Sequence, residues 1–195
     1  MTSPAGTTLG VLLAAGEGRR FAGPVHKLRA DLAGKPVVAH SLDALLGSGI
    51  GACAVVTGAV PLGDLLHGAT EIANPSWRTG QRSSVLAAIA HARALGMESV
   101  VFALGDQPFL TSEAWRMVAH DDSPLAVATY DGVRAHPVRM HRSLWDEFET
   151  LTPGPDGADA GVRTLMRLHP ELVHEVACKG NPADIDTPED LARWT

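Results

Sequence analysis

The stretch that most constrains this chain is Thr8 to Leu28, TLGVLLAAGEGRRFAGPVHKL. Leu9 to Ala15 is apolar apart from Gly10, and it has the length of a buried strand. Gly16 and Gly18 follow, where the backbone can turn sharply and approach a ligand with no Cβ in the way. Backbone N–H groups exposed in such a turn form an anion nest, and Arg20 and Lys27 add fixed positive charge beside it. A strand, a glycine turn and two cations together suggest a site for a polyphosphate. A Walker A loop is absent, because no glycine-lysine-hydroxyl run occurs. A dinucleotide fingerprint lacks its third glycine, since Phe21 stands there. The plain alternative is a strand-to-helix turn with surface cations.

The remaining chain alternates strand and helix patterns. Ala52–Thr57, Glu71–Ala73, Ser99–Leu104, Leu125–Tyr130, Val133–Met140 and Leu172–Ala177 read as strands, the fourth and fifth joined by a turn at Asp131-Gly132. Helices are expected from Pro36 to Gly47, from Ser83 to Leu95 and from Thr111 to His120. Shorter ones are expected around Leu144–Phe148 and Val162–Leu168, with a turn of helix over 61–67. Residues 32–36 and 152–157 read as loops. Thr187-Pro188-Glu189-Asp190 opens a C-terminal helix with a hydroxyl cap and acids at its positive end. This alternation predicts an α/β domain with a mostly parallel sheet, in which ligands lie beyond the carboxyl ends of the strands. The 195 residues fit one domain, 1–195.

Two acidic sites stand at places where such a sheet presents polar groups. Asp106, in Gly105-Asp106-Gln107-Pro108, follows the strand Ser99–Leu104; it is either a loop cap or a Mg²⁺ ligand. Mg²⁺ needs only one or two carboxylates when substrate phosphates supply the other oxygens. Asp184-Ile185-Asp186 precedes the last helix, and in extended backbone both aspartates point the same way. Asp186 either caps that helix or, if Thr187 is the cap, remains free for metal.

In order along the chain, these elements resemble the MobA-like nucleotidyltransferases, the group of molybdenum cofactor cytidylyltransferase and guanylyltransferase. The resemblance lies in L-A-A-G-x-G-x-R…K, in Asn74-Pro-x-Trp-x-x-Gly80-x-x-x-Ser84, in G-D-Q-P, in His136-Pro137-Val138, in Ala158-Asp159-Ala160-Gly161-Val162-Arg163 and in D-I-D-T-P-E-D-L. It implies a three-layer α/β/α, Rossmann-like fold of the GT-A-like type. It implies transfer of a nucleoside monophosphate to a phosphorylated acceptor with release of pyrophosphate. Leu13, Ala14, Ala15, Gly16 and Gly18 would hold the triphosphate, with Arg20 on its phosphates and Lys27 near the α-phosphate. Asn74, Gly80 and Ser84 would meet the base or sugar. Arg20, Lys27 and Asp106 would be catalytic, Asp106 and Asp186 would bind Mg²⁺, and Gln107, Pro108 and His136 would face the acceptor. L-A-A-G rather than L-A-G-G matches the cytidylyl branch, so CTP is the expected donor. A molybdopterin-type cofactor is the expected acceptor, and a molybdenum hydroxylase or its chaperone the expected protein partner. The rivals are transfer to a sugar phosphate, a glycosyltransferase of similar fold, and a non-catalytic nucleotide-binding module. Two departures stand out: the gap from Arg20 to Lys27 is longer than usual, so residues 22–26 are expected to bulge, and Ala158 replaces a glycine.

Charge and composition exclude other classes. A net charge of −6 argues against a nucleic-acid binder. No apolar run approaches the roughly 18 residues of a membrane span, and residues 1–7 carry no signal-peptide pattern, so a soluble cytoplasmic protein is expected. Two cysteines, Cys53 and Cys178, make no disulfide framework. No H-E-x-x-H run points to zinc.

Overall fold

A computed structural model describes residues 7–151 and 161–194. The expected loop at 152–157 and the segment Ala158–Ala160 lie outside the described residues. The strands are β1 (Thr8–Ala14), β2 (Ala52–Thr57), β3 (Thr70–Ala73), β4 (Ser99–Leu104), β5 (Leu125–Tyr130), β6 (Val133–His141) and β7 (Val173–Ala177). They form one sheet in the order β3-β2-β1-β4-β6-β5-β7. β6 pairs antiparallel with β4 and β5; the other pairings are parallel. The hairpin from β5 to β6 turns on Asp131 and Gly132, both at positive φ. That is the backbone an Asp-Gly pair favours.

Alternation along β1 divides the core between two faces. Leu9, Val11 and Leu13 pack with Val85, Ile89 and Ala92 of α2 (Gln81–Ala94), Trp145 and Phe148 of α4 (Trp145–Thr150), and Leu165 of α5 (Arg163–Leu168). Leu12 and Ala14 face the other way, onto Leu42 and Leu45 of α1 (Val37–Leu46) and Trp115 of α3 (Ser112–Ala119). The layers are therefore α/β/α. Gly10, the one break in the apolar run, has a steric reason: a Cβ there would lie 2.5 Å from Leu45 Cδ1, so glycine lets α1 approach β1. Trp115 and Trp145 are buried, whereas Trp194 is partly exposed and lies against Phe109, with ring centroids 4.3 Å apart. Cys53 and Cys178 are free and half-buried.

Local differences from the sequence reading have physical causes. Residues 32–36 form more than a loop: Asp31–Leu32 pairs with Lys35–Pro36 as a two-stranded hairpin turning on Ala33 and Gly34 at positive φ. Helix α2 begins at Gln81 rather than Ser83, because Gly80 (φ 109°, ψ 175°) turns the chain immediately before it. The turn within 61–67 is a 3-10 turn over Gly63–Leu65. Among the described residues, no helix is long and apolar enough to cross a membrane.

Candidate active site

The carboxyl ends of β1 and β4 lie side by side. The pairing continues past both strands, with Gly105 N donating to Leu13 O at 3.0 Å. The glycine turn and Asp106 therefore leave the sheet at the same edge. Ile185 N donates to Asp106 O at 2.9 Å, which docks the 184–186 segment onto the β4 turn. The Ile185 side chain is fully buried against Leu32 and Val37. Extended alternation then turns both Asp184 and Asp186 toward one cavity of about 650 Å³. Thr187 caps the last helix, α6 (Pro188–Ala192), in a capping box with Asp190. Asp186 is thereby released from the capping role the sequence allowed it.

The charged groups converge within this cavity. Lys27 Nζ donates to Asp106 Oδ2 at 2.5 Å and to Asp186 Oδ1 at 2.8 Å. Arg20 Nη2 lies 2.8 Å from the other oxygen, Asp186 Oδ2. The Lys27 side chain is 11% exposed and the two aspartates 13% each, whereas Arg20 is largely in solvent. Burial disfavours the Lys27 charge, but Asp106 and Asp186 outweigh it and hold its pKa above the ordinary lysine value. Burial, followed by the like charge of Asp186 and Asp106, raises the Asp184 carboxyl above the usual carboxylate range. Asp106 Oδ1 is buried with no hydrogen-bond partner. A spare carboxylate oxygen at a convergence of acids suits a hard divalent cation, which takes its other oxygens from substrate phosphates. Among the described residues, no cluster of three or more His, Cys, Asp or Glu forms a metal cage from protein alone.

The structure brings most of the expected residues to this cavity. Leu13, Ala14, Ala15, Gly16, Gly18, Arg20, Lys27, Gly80, Ser84, Asp106 and Asp186 all line it. Gly16 has an ordinary φ, and no protein atom lies within 4 Å of where its Cβ would be. Its missing side chain therefore leaves room for something other than protein. Helix α2 presents Gln81 and Ser84, and the preceding 3-10 turn presents Trp77 and Arg78, whose guanidinium lies 4.3 Å from the Trp77 ring centroid. A helix amino end of this kind favours a negatively charged ligand.

Three expected residues are placed elsewhere. Asn74 is buried and lines no part of the cavity: its Nδ2 donates to Ser83 Oγ (2.8 Å) and Ser84 Oγ (3.0 Å), and its Oδ1 accepts from Ser76 N. It braces the Trp77 turn against α2. Gln107 is buried because both ends of its amide are used internally, Nε2 donating to Pro182 O and Oε1 accepting from Leu104 N. Pro108 is buried beside it. These two residues build the β4 turn, and neither lines the cavity that holds Lys27.

His136 lines a second cavity of about 540 Å³. Its walls include Val85, Phe102, Val127 and Met166, with Arg134 and Arg163 as polar groups, and it shares Leu13, Arg20, Gln81, Leu104 and Asp184 with the first. The two cavities thus form one groove. Burial, and then the Arg163 charge, push the His136 pKa down to about 4, so the ring is neutral near pH 7. Arg134, Arg78 and Gln81 carried no distinguishing pattern in the sequence, whereas Trp77 lay within the Asn74-Pro-x-Trp-x-x-Gly80 run.

A glycine turn, a convergent lysine and paired carboxylates at the strand ends of a mostly parallel sheet define a nucleotide-handling α/β protein. Comparison with known families matches residues 10–175 to the MobA-like NTP transferase domain, and the chain belongs to that family. The bifunctional protein GlmU of Agrobacterium fabrum is 35% identical over 111 residues, 54% of this chain; the chain spans about a quarter of that relative, 24% of its length. The purine catabolism protein PucB of Bacillus subtilis is 28% identical over 197 residues, 93% of each protein. Among solved structures, Rv0371c of Mycobacterium tuberculosis superposes with a TM-score of 0.79 at 24% identity, covering 97% of this chain and 98% of that one. A second structure of Rv0371c, in complex with manganese, has a TM-score of 0.72 at 24% identity over 96% and 97% of the two chains. At that identity the likeness speaks for the fold.

Proposed function

We propose that the protein transfers CMP from CTP to a phosphorylated acceptor of the molybdopterin type. The observation that carries this reading is the Lys27 ammonium held between Asp106 and Asp186, beside the glycine turn in one cavity. An acceptor phosphate oxygen attacks the α-phosphorus in line, the bond to the β-phosphate oxygen breaks, and pyrophosphate leaves. The N–H groups of the glycine turn hold the outer phosphates, and Arg20 reaches them from solvent. Lys27 offsets the charge that grows on the α-phosphoryl group, in a site already shielded from water. Asp106 and Asp186 are the residues that would hold a divalent metal. When bound, Mg²⁺ would polarise the phosphoryl oxygens. The manganese complex of the similar Rv0371c supports a divalent ion here.

The choice of CTP rests on the L-A-A-G turn. The choice of acceptor rests on the second cavity. Val85, Phe102, Val127 and Met166 offer a flat heteroaromatic ring an apolar wall, and Arg134, Arg163 and Gln81 offer polar partners at its edge. A molybdenum hydroxylase or its chaperone is the final recipient of the product in this reading. The test is to incubate the protein with Mg²⁺ and each nucleoside triphosphate, with molybdopterin cofactor, with a sugar phosphate or with no acceptor, and to measure pyrophosphate. Release with CTP and the cofactor alone is expected. Release with a sugar phosphate alone overturns the acceptor, and release with another nucleotide overturns the base.

A further inference from the structure

The long gap between Arg20 and Lys27 is an exposed excursion: residues 22–25 face solvent, with Val25 49% exposed, and the chain returns at His26. The His26 side chain then caps the 3-10 turn Lys27–Arg29, Nδ1 accepting from Leu28 N at 3.3 Å. With Nδ1 an acceptor, a neutral ring carries its proton on Nε2. Nε2 lies 3.1 Å from Gly16 O and donates to it. One imidazole therefore ties the glycine turn to the turn that presents Lys27. Gly18 (φ +65°) makes room for the tie: a Cβ there would stand 3.1 Å from His26 Nε2 and 3.2 Å from Lys27 Cγ. The charges around the ring are Lys27 on its own turn, the Glu17–Arg19 pair on the glycine turn, and Asp106 at the end of β4. Burial, and then Lys27 against the opposing pull of the Gly16 carbonyl, hold the ring below the usual histidine range and so neutral.

We propose that His26 is a positioning residue, whose ring straps the two halves of the phosphate cradle together before substrate arrives. A preformed cradle binds more tightly because less ordering remains to be done on binding. This inference rests on the reading of the glycine turn as a triphosphate site, so the test uses tripolyphosphate, which has no base, alongside CTP. Two variants separate the two hydrogen bonds. His26→Asn keeps an oxygen near the Nδ1 position for Leu28 N but is too short to reach Gly16. His26→Gln places an amide N–H near the Nε2 position and gives up the cap.

Calorimetric titration of each probe with Mg²⁺ is expected to show His26→Asn weakening both probes by roughly five- to tenfold, the scale of one hydrogen bond. His26→Gln is expected to stay within about threefold of the parent for both probes. A merely structural histidine would do the reverse, because losing the cap would be the larger disturbance. Unchanged tripolyphosphate affinity in His26→Asn overturns the strap. Equal losses in the two variants overturn it as well, and assign the ring to packing. A parent protein that binds neither probe overturns the cradle reading itself, whereas one that binds tripolyphosphate but not CTP leaves the strap standing and overturns only the choice of nucleotide.

Discussion

Lys27 and Asp106 are 79 residues apart in the chain and 2.5 Å apart in space. The contact joins the loop after β1 to the loop after β4, across the parallel pairing that lays those strands side by side. Asp186 completes the arrangement from a third segment, 159 residues from Lys27. Each acid keeps one oxygen on the ammonium. The remaining oxygens differ: Asp186 Oδ2 faces Arg20, and Asp106 Oδ1 has no partner.

That orphaned oxygen makes Asp106 the most informative substitution. Asp106→Ala is expected to lower pyrophosphate release by about 100-fold or more, the usual cost of removing a group that stabilises charge at the reacting centre. The fold should persist, because Lys27 keeps Asp186 as its counter-charge. Circular dichroism and thermal melting check the fold, and a folded variant with full turnover removes Asp106 from the mechanism.

Asp186 and Thr187 are neighbours with separable tasks. Thr187→Ala removes the helix cap and is expected to cost about 1 kcal/mol of local stability, read as faster amide exchange in α6. Its turnover should fall only a few-fold. Asp186→Ala should leave α6 in place and lower turnover by roughly 100-fold. Equal losses in the two variants would mean that Asp186 acts through the helix.

Gly16→Ala tests whether the turn keeps space for a ligand. The native φ is ordinary and no protein atom stands near the new methyl, so stability is expected to change by less than about 0.5 kcal/mol in urea unfolding. Triphosphate affinity should fall severalfold, because the methyl projects where the ligand would lie. Undiminished affinity would place the phosphates elsewhere.

How far the site was legible follows from which signals are local. Ser99–Leu104 and Leu125–Tyr130 form strands at the boundaries their apolar runs suggested, and period-two alternation was enough to put Asp184 and Asp186 on one side. The bulge before Lys27 was also legible, as a gap too long for the pattern. The bridge from Lys27 to two acids was not, since no local pattern records which loops meet across a sheet. Gln107 and Pro108 show the opposite case. They border Asp106 in sequence, but Gln107 turns inward because the amide of Leu104 and the carbonyl of Pro182 both need a partner. Asn74 is a further case: its hydrogen bonds to Ser83 and Ser84 become visible only once α2 folds back over the turn.

His136 supplies a pH-dependent signature. Its folded pKa is about 4 against an ordinary 6.5, so between those values the unfolded chain binds a proton that the native chain does not. Stability from this group is fully present above about pH 6.5 and is lost as the pH falls toward 4. Urea midpoints for the parent and for His136→Gln, measured from pH 7.5 to 4, isolate the contribution, because the other histidines titrate alike in both proteins. The parent is expected to lose stability more steeply than the variant across that window. Parallel curves would mean that the ring is hydrated when the cavity is empty, and the neutral His136 assigned to the acceptor wall would have to be given up.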